Sequence, residues 1–454
     1  QGGPGDSMLN ESEVAQLVND EMIPRLDKQR QDVEKIDRWY RGQNEEPWMP
    51  RQADPEYRAL AKLAPSRWLS LVVTMLVQAL YVEDFQSSDG VTSPAWQIWQ
   101  ANGMDSRQIA LHRAAVAHGQ SYGTVTPGDM GPKMRGHSMR QMVTMWDDAA
   151  EDEFPQYAMR RRGNRIRFYD DAAIWDLRLA EAQAGETAKA TILGEPIEHP
   201  AQVCPVVRFA NTIDLDGRCD SEIENLIPLA ARIDHDTFDR LLVQHFQAFQ
   251  VRVLTGLVKP DDADDAAAEK LRLKHEDLLV LESPDSSASV LPAASMSGHT
   301  ETRDSDIRDL AAAGQVPAHH LLGSLVNLSA EALAAAESGH QRKVTERKHT
   351  LGESHEQYLR LAATMSGDVE TANDFTAEVR WADMESRSLS QVADALGKLS
   401  TMLGVPAQVL WDRIPGWTAQ DPTKAKQLLD DGDALSRMMD EFSSQTGAAG
   451  GVAA

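Results

Sequence analysis

The adjacent histidines His319 and His320 are the first side chains in this sequence that invite a chemical reading. Imidazoles ligate metals and carry protons near neutral pH. Neighbouring residues of an extended segment face opposite ways, however, so the pair is expected to be a poor joint ligand set and to line a loop tip. Five arginines, Arg160, Arg161, Arg162, Arg165 and Arg167, make the densest basic cluster. They fit either DNA phosphates or the acidic surface of a neighbouring subunit, and the charge of the whole chain favours the second. The pairs Asp147-Asp148 and Asp170-Asp171 read as solvated turn residues, because glycoside hydrolysis needs carboxylates that converge on a pocket. Cys204 and Cys219 lack metal-type spacing and suit reduced thiols in a bacterial cytoplasm. No GxxxxGK[ST], HExxH or GxSxG pattern occurs. The expectation is a protein that is not an enzyme, with no cofactor and no metal.

The formal net charge is −25 and the pI near 4.9. Affinity for nucleic acid comes mainly from Lys and Arg, so a phosphate-gripping groove is disfavoured. With 454 residues, 42% hydrophobic and 25% charged, the chain has the make-up of a globular protein of two to four domains. Its first residues, QGGPGDS, carry neither a basic region nor an apolar core, so no signal peptide is expected, and a natural start fits Met8. The most apolar run, Trp68 to Tyr81, is too short for a bilayer and is broken by Ser70, Thr74 and Gln78. It reads as a buried helix, with no membrane partner.

The histidines lie in QVPAHHLLGSLVNL, Gln315 to Leu328, a loop that is apolar where most are polar. A short acidic helix, Thr302 to Ala313, precedes it. That helix is expected to stop at Gly314 through a left-handed cap, with Pro317 close behind. After the loop, Ser329 is placed to N-cap a long helix with Glu331 in its first turn. Leu333, Ala336, His340, Val344, Arg347, Leu351, Tyr358 and Ala362 give that helix one mixed apolar face up to Gly367. Its length is on the order of 55 Å, with Ser338-Gly339 and Gly352 as possible kinks.

Upstream, Glu11 to Tyr40 has helical periodicity that Pro24 should break or bend. Helices follow at Pro55 to Leu63, Ser66 to Leu80, Trp96 to Ala101 and Ser106 to His118, with a strand at Tyr81 to Phe85. Period-two patterning marks strands at Tyr122 to Thr126, Gln141 to Met145, Gln156 to Arg162, Arg165 to Tyr169, Ile174 to Leu177 and Val203 to Phe209. Gly163-Asn164 is a hairpin turn. Ser221 and Glu224 form a capping-box pattern ahead of a helix from Pro228 to about Phe249. Strands are expected at Gln250 to Val258, Leu278 to Leu281 and Ser289 to Leu291, around the acidic run Asp261 to Asp265. A strand at Glu378 to Trp381 and helices at Arg387 to Leu403, Pro406 to Leu410 and Pro422 to Phe442 complete the chain. Ser443 to Ala454 reads as a disordered tail.

The order short helix, VPAHHLLG, NLSAEAL, long helix resembles the core of tailed-bacteriophage portal proteins, the head-to-tail connectors of the siphophage type. Two further stretches are similar to actinobacteriophage-like portals: WYRG with EYRALAKLAPSRWLSLVVTMLVQALYVEDF, and EVRWADMESRSLSQVADALGKLSTMLGVPAQVLWDRIPG. The resemblance implies a mainly helical α+β portal fold. Residues 1–220 would form an α/β wing, 221–249 a stem helix, 250–299 a small β-containing clip and 300–314 a second stem helix. A channel loop (315–328), a long kinked helix with a return strand (329–385), a helical crown (386–442) and a tail (443–454) would follow.

It also implies a ring, twelve subunits by family likeness, at one capsid vertex of the virion, assembled in the host cytoplasm. Double-stranded DNA would pass through it during packaging and ejection. Gln315, Pro317, His319, His320, Leu321, Leu322, Ser324, Leu325, Val326 and Asn327 would face that DNA. Lys259, Asp261, Asp262, Asp264 and Asp265 would dock the terminase large subunit and the head-completion adaptor. Major capsid and scaffold proteins would be further partners. An acidic channel suits sliding, since carboxylates repel phosphates. The alternatives are another phage structural or scaffold protein without a channel, or an enzyme with an unrecognised site.

Overall fold

The computed structural model describes residues 9–49, 55–88, 90–180, 188–248, 252–255, 287–290, 296–323, 330–382, 389–411, 414, 421–422, 424–429 and 431. The fold is mixed α+β, in two compact units, each assembled from separated stretches of chain. One comprises Gln1–Glu34, Val73–Glu222 and Gln341–Ala454; the other comprises Lys35–Val72 and Ile223–His340. Among the described residues, no helix is long and apolar enough to cross a membrane.

The first unit holds most of the strands. In chain order they are β1 (Val82–Gln86), β2 (Gln120–Thr126), β3 (Lys133–Ser138), β4 (Met142–Met145), β5 (Tyr157–Arg162), β6 (Arg165–Tyr169), β7 (Ala173–Leu179), β8 (Ala190–Ile192), β9 (Ile197–Glu198) and β10 (Val206–Ala210). The second unit contributes β11 (Arg252–Thr255) and β12 (Ser287–Val290), and Glu378–Trp381, again in the first, is β13. The sheet β4-β5-β6-β7-β8, with β9 also on β7, is antiparallel throughout and turns at Gly163 (φ 64°). A three-stranded sheet runs β10-β2-β3, and β1 pairs with β13.

Alternate residues of the larger sheet, Met159, Ile166, Phe168, Trp175 and Leu177, pack on Val14, Val18, Met22 and Leu26 of the N-terminal helical segment. Pro24 does not break that segment. A π-helical stretch, Val18–Met22, joins the α-helices Glu11–Leu17 and Ile23–Tyr40. A proline ring crowds the carbonyl four residues back, here Asp20, and the wider π turn around Asp20 relieves that clash.

β3 breaks the alternating pattern, and its sequence, KMRGHS, gives no strand signal. It forms because glycines bring it close to its neighbours. Gly136 pairs with Gly123 of β2. A Cβ on Gly136 would meet Leu111 at 2.7 Å, and one on Gly123 would meet Phe209 and Tyr358 at 2.9 Å.

The second unit is mainly helical. Phe238 of the helix Ile227–Ala248 packs with Ala61 and Ala64, flanked by Met49, Leu60 and Leu242. Buried Asp234, one turn back, accepts hydrogen bonds from Asn44 Nδ2 (2.6 Å), Ser66 N (2.9 Å) and Ser66 Oγ (2.6 Å). Burial pushes its carboxyl up from the usual range, against those three donors. β11 and β12 pair antiparallel. The expected strand Leu278 to Leu281, most of the helix Pro422 to Phe442 and the tail lie outside the described residues.

Ile223, not the expected Ser221, is the N-cap residue of the 3-10 turn Glu224–Leu226 that leads into the helix, and Ser221 Oγ donates to Ala117 O at 2.7 Å.

Candidate functional site

The site is built on the helix Met296–Ala313, the turn after it, and the long helix Ala330–Ser366. Asp306, Ile307, Leu310 and Ala311 of the first are buried. Arg232 of the helix Ile227–Ala248 ties the two helices together through Asp306 (2.6 Å) and Asp309 (2.9 Å). Nearby, burial together with a hydrogen bond to Asp306 pushes the Asp236 carboxyl up to about 6.

The helix ends in a Schellman arrangement. Val316 N donates to Ala311 O at 2.9 Å and Gln315 N to Ala312 O at 3.2 Å. The left-handed residue is Gln315 (φ 50°), not Gly314 as expected from sequence. Gly314 sits in tight space, since a Cβ there would lie 3.1 Å from Leu310 O and 3.3 Å from a Leu226 methyl.

The predicted loop is not extended at His319-His320. Ala318–Leu322 is a short helix with Pro317 as its N-cap and left-handed Gly323 (φ 66°) as its C-cap. This corrects the expectation that the two imidazoles diverge. Their ring centroids are 4.2 Å apart, and their Nε2 atoms lie 3.1 Å (His319) and 3.0 Å (His320) from the same oxygen, Oε1 of Glu337. Glu337 comes from the long helix, which nothing in the local sequence around the histidines signals. One turn on, His340 Nδ1 lies 3.3 Å from Gln315 O.

Of the predicted DNA-facing residues, Gln315 and His320 are exposed and His319 and Leu322 half-buried, whereas Pro317 and Leu321 are buried within the chain. The apolar character of the loop is thus partly core packing, through Val316, Pro317 and Leu321. Ser324, Leu325, Val326 and Asn327, the expected N-cap Ser329, and the clip set Lys259, Asp261, Asp262, Asp264 and Asp265 lie outside the described residues. The long helix runs 37 residues without interruption at Ser338-Gly339 or Gly352.

The basic hairpin forms as β5 and β6, with Arg160 opposite Arg167 and Arg162 opposite Arg165. Arg167 makes a two-pronged pair with Asp176 (2.7 and 2.8 Å), and Arg161 reaches Asp27 at 3.4 Å. Arg162 and Arg165 are exposed at the turn, and Arg160 is half-buried. Two of the five charges are therefore met by carboxylates of the chain itself. Asp170 is likewise not a solvated turn residue. It is buried, and accepts from Ala172 N, Ala173 N and Trp175 Nε1.

Sequence reasoning missed two buried polar clusters along the long helix. Glu222 joins Lys343 and Arg347 (3.2 Å to the latter), and Arg347 Nε donates to Asn211 Oδ1 at 3.0 Å. Farther along, His355 and His112 meet Nε2 to Nε2 at 2.6 Å, ringed by Trp99, Phe209 and Trp381. Burial pushes His112 down to about 4, and burial with the facing imidazole pushes His355 well below the usual histidine range. Both clusters tie the long helix to stretches more than a hundred residues away in the chain.

Comparison with known proteins places this architecture. The family model for phage portal proteins of the SPP1 Gp6-like type matches residues 19–437. The chain belongs to the phage portal protein family. A portal protein of Mycobacterium phage D29 is 24% identical over 436 residues, covering 87% of this chain and 84% of the relative. Among solved structures, a chain of the neck of a native GTA particle computed with C12 symmetry is 12% identical. It covers 83% of this chain and 99% of its own length, with a TM-score of 0.46. Phage portal proteins are structural components of the virion.

Proposed function

We propose that copies of this portal chain close into a ring at one capsid vertex, twelve as the family resemblance implies, through which double-stranded DNA is packaged, retained and ejected. The observation that carries this reading is the portal-family match across residues 19–437. The segments 315–328 and 250–299 keep the roles of channel loop and clip, the second docking the terminase large subunit and head-completion adaptor. Capsid and scaffold proteins meet the rest of the ring, which is assembled in the host bacterial cytoplasm.

The physics supports a conduit more than a clamp. A chain of net charge −25 repels phosphates, so a duplex slides instead of being gripped. At the described part of the loop the exposed residues are Gln315, His320 and Gly323, which add no fixed negative charge and little apolar surface.

Negative-stain images of the purified chain, with partners present, test the ring: closed rings with an axial channel are expected, and monomers or open chains under every condition would overturn it. The loop is tested by Gln315→Glu, which repeats one added charge around the ring. Rings should form normally while packaged DNA falls. Unchanged packaging would remove Gln315 from the DNA-facing set.

A further inference from the structure

We propose that His319, His320 and Glu337 form a binding site for a divalent transition-metal ion of the zinc type. Both imidazole Nε2 atoms already converge on one carboxylate oxygen, at 3.1 and 3.0 Å, and the three ligand atoms all lie within 4.8 Å of one another. A tetrahedral zinc ion takes its ligands at about 2.0–2.2 Å, so it fits among atoms at this spacing after small side-chain shifts. Two imidazoles and one carboxylate are a zinc donor set that leaves a fourth position for water. Nitrogen donors argue against Mg²⁺ and Ca²⁺, which prefer oxygen.

The setting suits an ion that arrives from solvent. His319 is 13% exposed, Glu337 25% and His320 44%, so the ligands are reachable but not freely mobile. Leu321, next to the histidines on the same short helix, is buried, and Gly323 caps that helix, so both rings ride on an anchored turn. Glu337 is held by a long helix that is continuous on both sides of it. The ring centroids lie 4.2 Å apart, so one metal ion can be shared between the two Nε2 atoms and Glu337 through three bonds. The ion would pin the short helix to the long one. All three ligands belong to a single chain, so the site stands whether or not a ring forms.

The test uses the untagged full chain, stripped with EDTA and titrated with Co²⁺ and then Zn²⁺. Tetrahedral Co²⁺ absorption saturating at one ion per chain is expected, with displacement by Zn²⁺ and no displacement by Mg²⁺. His319→Gln, His320→Gln and Glu337→Gln should each weaken binding by at least about tenfold, the loss that even outer-shell partners produce. Zn²⁺ should raise the melting temperature of the parent chain and not that of the variants. Absence of saturable binding, or binding that survives in the H319Q/H320Q double variant, overturns the proposal. Should a variant fail to fold, Zn²⁺ protection of His319 and His320 in the parent chain from diethyl pyrocarbonate decides. Protected rings support the site and unprotected rings overturn it.

Discussion

The two ends of the helix Ala330–Ser366 use similar side chains for different ends. Toward its start, Glu337 meets two histidines at the surface, Ala335 and Ala336 are exposed, and a Cβ on Gly339 would meet open space. From Lys343 onward one face of the helix is core. Val344, Leu351, Tyr358, Leu359 and Ala362 are buried, and two of its charged groups, Lys343 and Arg347, are buried beside Glu222, with Arg347 also reaching exposed Glu346 at 2.8 Å. The apolar stripe read from the sequence spans both ends, yet only the second half buries it fully. A carboxylate facing two nitrogenous side chains is adjustable in the first setting. In the second it is obligatory, because removing one member strands charge away from water.

The largest expected effect breaks the buried end. Glu222→Gln leaves Lys343 and Arg347 without their shared carboxylate and should cost about 3–5 kcal/mol in chemical denaturation. A loss below about 1 kcal/mol would show that water reaches the cluster and that the contrast between the two ends is false.

A smaller effect comes from acid. His112, held down to about 4 by burial, binds a proton between there and its ordinary 6.5 only in the unfolded chain. Its contribution is therefore complete above about pH 6.5 and is lost as the pH falls toward 4, to a total of about 3 kcal/mol. His355 acts in the same direction. So does His137, pushed down to about 3 by burial and then by Arg160, Arg135 and Arg167. Urea midpoints should drop across that window. A flat profile would mean that the imidazole pair is already charged or solvated in the native protein.

What could be read from the sequence follows the range of the interactions involved. The hairpin at Gly163-Asn164, the strand Glu378–Trp381 and the helix Ile227–Ala248 rest on local periodicity and turn chemistry, and each stands within a few residues of its expected place. β3 rests on the fit of Gly136 under Leu111, the His112–His355 pair spans 243 residues, and neither leaves a local trace. The site shows the same divide. Its outline was legible, as a stopped helix, a short linker and a long helix. Its contents were not, because one helical turn at Ala318–Leu322 reversed the inferred directions of His319 and His320 and brought in Glu337.

The smallest expected effect sharpens the comparison from the exposed end. In metal-stripped protein, Glu337→Gln should change stability by less than about 1 kcal/mol, since a partly exposed pair exchanges its partners for water. Glutamine keeps an acceptor for either imidazole N–H, so the local geometry should persist. The comparison with Glu222→Gln is then between the same chemical change at two points of one helix. A loss matching that of Glu222→Gln would make the surface cluster as structural as the buried one. With Zn²⁺ present the parent chain should gain stability that Glu337→Gln cannot share, because the amide oxygen is the weaker ligand. The difference between the two should therefore widen with zinc concentration, whereas the deficit of Glu222→Gln against the parent should stay constant.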